Sequence, residues 1–308
     1  MNYRHIYHAG NFADLMKHLI LIAILKKLHE KDKPFTVLDA FAGIGIYDLS
    51  STEAQKTKEY ENGIARLLEY LKNRYPRESQ GIGPIKNLHT KPLKPFSGFD
   101  DEVNHIISSY ISIIDSLGLP DLYPGSPYII SQLLRKHDEL IASELHPQDY
   151  AQLKYHMLPE HNTAIHHIDG YNAIKAFLPP KNLRGLVLLD AAFEVKNEYL
   201  KIIDALKLIK KRFSAGIVMI WYPIKDSKLV DEFYNALQDT GYPEFLKIEF
   251  EINDIEMGIK DANTMSKCGV IIANPPHIQE KIESLIQFLS RDVYSGNARI
   301  IVELVSQK

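Results

Sequence analysis

The stretch Phe35 to Ser50, FTVLDAFAGIGIYDLS, constrains this chain more than any other. Phe35-Thr36-Val37-Leu38 is a short apolar run and predicts a buried strand. It stops at Asp39, and the small residues Ala40, Ala42, Gly43 and Gly45 follow. A strand that ends in an acid and turns through small residues lets a ligand come close to the backbone. That is the first crossover of an open α/β sheet, where ligands sit outside the carboxyl ends of the strands.

The kind of ligand turns on detail. A dinucleotide fingerprint needs G-x-G-x-x-G. Gly43 and Gly45 supply two glycines, but Asp48 stands at the third position. This speaks against a bound pyrophosphate and against a nicotinamide-dependent oxidoreductase. Asp39-x-Phe41-Ala42-Gly43-x-Gly45 suits a cofactor without phosphates. It is similar to the first motif of S-adenosylmethionine (SAM) methyltransferases, D-x-x-x-G-x-G. The competing reading is a tight turn whose glycines serve packing alone.

Composition narrows the setting. The 308 residues suffice for one large α/β domain with an insert, or for two domains. Net charge is −3, so contact with nucleic acid would need a local patch. Cys268 is the only cysteine, which rules out an intrachain disulfide and fits a reducing, cytoplasmic compartment. The longest apolar run, Leu19 to Leu25, is too short to span a bilayer. MNYRHIYHAGNFAD has no signal-peptide core. No membrane contact is expected.

Ahead of the strand, Ala13 to Glu30 predicts a helix, with Leu15, Leu19, Ile22, Leu25 and Leu28 at helical spacing. Asp14 and His18 stand four apart on one face, and the plain reading is a capped helix with one Asp–His pair. After Gly45 the sheet pattern pauses. Residues 50–120 read as a helical insertion, with helix-prone stretches at Ser51–Tyr75 and Asp101–Leu117. A loop rich in Pro, Gly and Lys lies between them.

The pattern then resumes. Tyr123-Pro124-Gly125-Ser126-Pro127 predicts a turn into a helix, with Ser126 as N-cap and Pro127 at the first helical position. Strands are expected at Leu140–Glu144, Ala164–Ile168, Leu186–Leu189 and Ile217–Trp221. The first three run into Glu144, Asp169 and Asp190. A carboxylate in the place of Glu144 can accept ribose hydroxyls; one in the place of Asp169 can accept an adenine amine. Glu144 can also be an exposed strand-end acid. His166 and His167 are adjacent, so in a strand they face opposite ways, and no metal site is expected. Three late β segments end the chain. Alternating strands and helices with a terminal hairpin predict a mainly parallel sheet with a late antiparallel strand.

With HAGNFADLMKH, LDAFAGIG, the long insert, YPGSP, SELHP, Asp169-Gly170 and a strand ending in Asp190, the chain resembles the RlmJ-type methyltransferases. These methylate N6 of one adenine in 23S ribosomal RNA. The resemblance runs over essentially the whole chain, and its implications are expectations. The fold is an α/β, class I SAM-dependent methyltransferase, Rossmann-like, with a mainly parallel seven-stranded sheet and an antiparallel C-terminal hairpin strand. Residues 1–49 and 121–308 form that domain, and 50–120 a small helical insertion. The cofactor is S-adenosyl-L-methionine, held by His18, Asp39, Phe41, Gly43, Gly45, Ser126, Glu144, Asp169, Gly170 and Asp190. Phe41 stands where the family often has histidine. Tyr3 matches a substrate-contact position, with Arg4 and Lys17 nearby. The partner is 23S ribosomal RNA, protein-free or as an early precursor, met by a monomeric, cytoplasmic enzyme.

The chain departs from the resemblance at its catalytic motif. Amino-methyltransferases carry [D/N]-P-P-[Y/F/W], whereas here the sequence is Asp190-Ala191-Ala192-Phe193. The acid, the Ala191 carbonyl and the aromatic ring remain; the proline clamp is absent. An adenine amine is a poor nucleophile, and in such motifs hydrogen bonds to the acid and the carbonyl aim it while the ring stacks on an extruded base. Two readings stay open. One is a working adenine-N6 methyltransferase with Asp190 and Phe193 as catalytic residues. The other is a nucleic-acid-binding protein with little or no turnover, linked to use of external DNA. Asn274-Pro275-Pro276-His277 also fits the motif, but it follows a late strand, away from the switch point.

Overall fold

The computed structural model describes residues 4–75, 94–118, 121–158, 160, 162–195, 197–253 and 265–306. The chain opens with helix α1 (Phe12–His29), capped by Asn11, whose side-chain oxygen accepts from the Asp14 N–H. Strand β1 (Thr36–Asp39) follows, buried along its length. The glycine turn leads into a short strand β2 (Ile46–Asp48), then helices α2 (Thr52–Thr57), α3 (Ile64–Arg74) and α4 (Asp101–Ser116). Strand β3 (Leu122–Pro124) returns antiparallel to β2, with Tyr47 opposite Tyr123. This small ladder, which the sequence pattern did not reveal, ties the two ends of the 50–120 segment together.

From there strands and helices alternate. They are α5 (Ser126–Leu133), β4 (Glu139–Glu144), α6 (Pro147–His156), β5 (Thr163–His167) and α7 (Gly170–Phe177). Next come β6 (Gly185–Leu189), α8 (Glu198–Arg212), β7 (Ile217–Pro223) and α9 (Ser227–Leu237). The chain ends with β8 (Glu244–Ile252), β9 (Lys267–Ala273), α10 (Gln279–Phe288) and β10 (Ala298–Ser306).

The main sheet has eight strands in the order β10-β8-β9-β7-β6-β1-β4-β5. This is an α/β, class I SAM-dependent methyltransferase fold, with one strand more than the expected seven. The extra strand is β10, which pairs antiparallel with β8 at the sheet edge. β1 lies between β4 and β6, parallel to both, so the chain reverses its direction of travel across the sheet beside β1. That reversal is the switch point where open α/β sheets bind ligands.

Two further expectations are corrected. α1 is apolar on all sides rather than on one stripe, and Leu19 through Leu25 are all at most 2% exposed. It is a central helix, packed on α4, α5 and α10 as well as against β8 and β9. A helix apolar all round belongs in a core. Ser126 is not a helix N-cap: Gly125 takes that place, and the helix begins at Ser126. The hydroxyl is turned away from the backbone to the carboxylate of Asp39, at 2.7 Å. Among the described residues no helix is long and apolar enough to cross a membrane.

Candidate active site

Because β1, β4, β5 and β6 are parallel, their carboxyl ends collect at one edge of the sheet. Asp39, Glu144, Asp169 and Asp190 stand at or just beyond those ends. A pocket opens over them, lined by His18, Phe41, Gly43, Ser126, Glu144, Asp169, Gly170 and Asp190, among others. All of these come from the set read in the sequence.

The glycine turn packs close to its neighbours. Gly43 has φ +63°, and a Cβ there would stand 2.1 Å from the Tyr47 hydroxyl oxygen. Its N–H donates to Glu144 Oε2 at 3.0 Å, and the His146 N–H donates to Oε1 at 2.7 Å. Glu144 therefore clasps the turn as well as facing the pocket, and burial raises its pKa. Gly45 does not line the pocket; its carbonyl accepts from the Gly125 N–H at 2.7 Å and so fixes the start of α5.

Asp39 lies beneath the pocket floor, fully buried. Ser126 donates to Oδ2, while among the described residues Oδ1 has no partner that meets hydrogen-bond geometry. Burial, with the nearby charge of Asp190, pushes its pKa up to about 7. Asp169 caps α7, accepting from the Asn172 N–H at 3.1 Å. Gly170 starts that helix against Ala40 and Phe41; a Cβ there would meet the Ala40 carbonyl oxygen at 2.3 Å. Phe41 stands edge-on to Tyr171, ring centres 5.3 Å apart, in an aromatic corner.

At the other end, Lys17 Nζ lies 2.8 Å from Asp14 Oδ1 and 2.5 Å from Asp190 Oδ2. All three side chains are largely buried, and the ammonium draws the Asp14 pKa well below the carboxylate range against the cost of burial. The expected Asp14–His18 pair is not formed. Asp14 accepts instead from the Gly10 N–H at 2.8 Å and contacts His5 at 3.1 Å. His18 turns to Tyr123 and Tyr110.

A second hollow lies on the far side of Asp190. It is lined by Phe193, Trp221, Pro223, Met265 and Lys225, with His8, Asn11 and Glu59 from the opposite wall. His5, Lys17, Asp190 and Ala192 line both hollows. Phe193 has φ +51°, a left-handed conformation uncommon for an aromatic residue, and stands edge-on to Trp221 with ring centres 5.9 Å apart.

Arg4 is spent on Asp149 at 3.2 Å and Glu53 at 3.5 Å and lines neither hollow. Tyr3 lies outside the described residues. Asn274, in the second Asn-Pro-Pro motif, donates to the Ser214 and Gly216 carbonyls. β9 is antiparallel to β7, so Asn274 falls at the opposite end of the sheet from Asp190. His166 packs on Phe177 and His167 on Tyr150. Among the described residues no group of His, Cys, Asp and Glu side chains is arranged to hold a metal ion.

His5, Tyr47, Tyr171 and Trp221 were not foreseen. Trp221 carried one usable signal, its place near the carboxyl end of a parallel strand next to β6. His5 and Tyr47 carried none, because folding brings them to the site from a 3-10 turn and a three-residue strand.

The pocket suits SAM. Its aromatic corner fits an adenine, its strand-end carboxylates fit ribose hydroxyls and an ammonium, and Lys17 and His18 are the donors that fit a carboxylate. Comparison with known proteins agrees. The family model "Ribosomal RNA large subunit methyltransferase D, RlmJ" matches residues 32–88 and 99–303. The chain is 32% identical to "Ribosomal RNA large subunit methyltransferase J" of Haemophilus influenzae, over 99% of each chain. It is also 32% identical to the Escherichia coli K12 protein of the same name, again over 99% of each. A crystal structure of a Legionella pneumophila protein, LPL1258, superposes with a TM-score of 0.77 at 30% identity, covering 98% of this chain and 99% of that one.

Proposed function

The chain belongs to the RlmJ family of SAM-dependent ribosomal RNA large subunit methyltransferases, and we propose that it methylates N6 of one adenine in 23S ribosomal RNA. The observation that carries this reading is the position of Asp190. It stands in the wall shared by two hollows, one fitted to SAM and the other lined by Phe193, Trp221 and Met265.

When bound, SAM supplies a methyl group on a sulfonium, already electrophilic. The chain's task is to aim a weak nucleophile at it. Lys17 holds Asp190 Oδ2, so Oδ1 is the oxygen available to an adenine amine, with the Ala191 carbonyl as second acceptor. Both are set before a base arrives, and preorganised acceptors cost no rearrangement during reaction. Phe193, propped by Trp221 and Tyr199, offers a ring face for an extruded base. No strong base is required before transfer; position does most of the work. In this reading Glu144 takes the ribose, Asp169, Gly170 and Phe41 the adenine of SAM, and Asp39 with Ser126 and His18 its amino-acid end. Gly43 and Gly45 shape the turn that admits it.

The two alanines are compatible with this chemistry. Among the described residues neither the Ala191 nor the Ala192 N–H donates a hydrogen bond. Ala191 is 2% exposed, so packing holds the turn that proline would otherwise stiffen. The RNA is protein-free or an early precursor, the enzyme a cytoplasmic monomer, and residues 50–120 an insertion subdomain whose lysines help grip the RNA. The test is transfer from tritiated SAM to unmodified 23S RNA, with the product nucleoside identified. N6-methyladenosine is expected. A different methylated nucleoside would remove the N6 assignment, and SAM binding without transfer would favour a binding protein.

A further inference from the structure

His18 is 1% exposed, yet it lines the SAM pocket. Its Nδ1 lies 3.0 Å from the Tyr123 hydroxyl and 3.3 Å from the Tyr110 hydroxyl, and those two oxygens are 2.8 Å apart. Both tyrosines are buried. Nε2, the other ring nitrogen, has no partner among the described residues. Burial lowers the His18 pKa to about 3, so the ring is neutral at physiological pH and carries one proton.

Which nitrogen carries that proton follows from counting donors and acceptors. Suppose Tyr110 donates to Tyr123, and Tyr123 donates to Nδ1. Both hydroxyl protons then have acceptors in the core, and the ring proton sits on Nε2, on the pocket side of the ring. In the reverse direction Nδ1–H donates to Tyr123 and Tyr123 to Tyr110. The Tyr110 proton is then left in the core, with no further acceptor among the described residues. An unsatisfied buried donor costs about 1–3 kcal/mol, which decides the direction.

We propose that Tyr123 and Tyr110 are positioning residues that hold His18 as its Nε2–H tautomer, making it a fixed hydrogen-bond donor to the carboxylate of the SAM amino-acid end. The assignment of that end rests on the SAM reading of the pocket. The aromatic corner of Phe41 and Tyr171 lies at one side, while His18 shares the other with the ammonium of Lys17. A carboxylate is acceptor-only and belongs with donors. The chain of hydroxyls also gives the 50–120 segment a part in the site. Tyr110 sits in α4, 92 residues from His18 in sequence, so α4 sets the state of a pocket residue it does not itself line.

Nitrogen-15 NMR of the ligand-free protein reads the tautomer directly and is expected to show His18 protonated at Nε2. A proton on Nδ1 overturns the proposal, whatever the pocket binds. In Tyr123→Phe, S-adenosylhomocysteine should bind about tenfold more weakly, in line with a lost hydrogen bond to a charged group. 5′-Methylthioadenosine, which lacks the amino-acid end, should bind as in the parent. Tyr110→Phe should give a smaller change in the same direction. Equal losses for both ligands in both variants would mean the tyrosines serve packing only, and would also overturn it. A parent protein that binds neither ligand would fail the SAM reading instead, and the NMR result would still judge the tautomer.

Discussion

Lys17 reaches Asp190 at 2.5 Å across 173 residues of sequence, and the same ammonium holds Asp14 at 2.8 Å. The acid of the motif is thus built into a buried Asp–Lys–Asp chain anchored on α1. Its position is fixed by the core rather than by the turn that carries it.

Asp190→Ala should leave SAM affinity nearly intact and cut methyl transfer by about 10²-fold or more, the range for a preorganised acceptor acting in the transition state. Lys17→Met should behave differently. It strands two buried carboxylates and should cost about 3–5 kcal/mol of stability as well as activity. Thermal melts beside single-turnover rates separate the two effects. Retained transfer in Asp190→Ala would place the acceptor elsewhere.

Ala191→Pro with Ala192→Pro should fold and keep or raise the rate. The substitution removes no hydrogen bond that either N–H makes among the described residues. A rate that falls while SAM affinity holds would show that the turn must flex.

Asp39 gives a stability signature with a definite sign. Its folded pKa of about 7 lies above the ordinary value of 3.8, so between those two pH values the folded state binds more protons than the unfolded chain. Stability of the ligand-free protein should therefore fall as pH rises from about 4 to about 7, by up to ~4 kcal/mol from this group. Asp39→Asn keeps an acceptor for Ser126 and should flatten that slope, raising the melting temperature at pH 8 while weakening SAM binding. An unchanged slope in urea titrations across this range would show that Asp39 is ionised throughout.

Glu144→Ala should weaken SAM binding by about 1–3 kcal/mol, as expected for a lost charged acceptor. It also frees the Gly43 N–H, so the loss should include a slower or less complete ordering of the turn. Calorimetry with SAM and with adenosine should show a deficit for both. An unchanged affinity would move the ribose site away from β4.

RNA contact should be local. Charge reversal at Lys86, Lys91 and Lys94 should weaken RNA binding and flatten its dependence on salt, since each lost phosphate contact lowers the slope. Lys86 and Lys91 lie outside the described residues; Lys94 is exposed. Filter binding over a salt series checks this, and an unaltered slope would take the insertion out of the RNA-binding face.

Features that repeat locally were legible without the fold. Apolar runs ending in Asp39, Glu144 and Asp190 announced β1, β4 and β6, and parallel strands necessarily bring such ends to one edge. The glycine turn and the order of helices and strands were legible for the same reason: backbone preference and periodicity are written in neighbouring residues. How those side chains are partnered came only with the folded core. Ser126 looked like a helix cap until folding placed Asp39, 87 residues away, within 2.7 Å of its hydroxyl. Asp14 and His18 share a helix face, yet Asp14 took Lys17 and His18 took Tyr123, 105 residues distant. The small β2–β3 ladder escaped the pattern, and the last β segment was read as a strand without its place at the sheet edge beside β8, because pairing is settled by which edge is free once the rest has packed. Burial sets the cost of each charge, and burial is a property of the assembled core. No local spacing could say which acid would be paired with a cation and which would lie buried under the pocket floor with only a serine hydroxyl beside it.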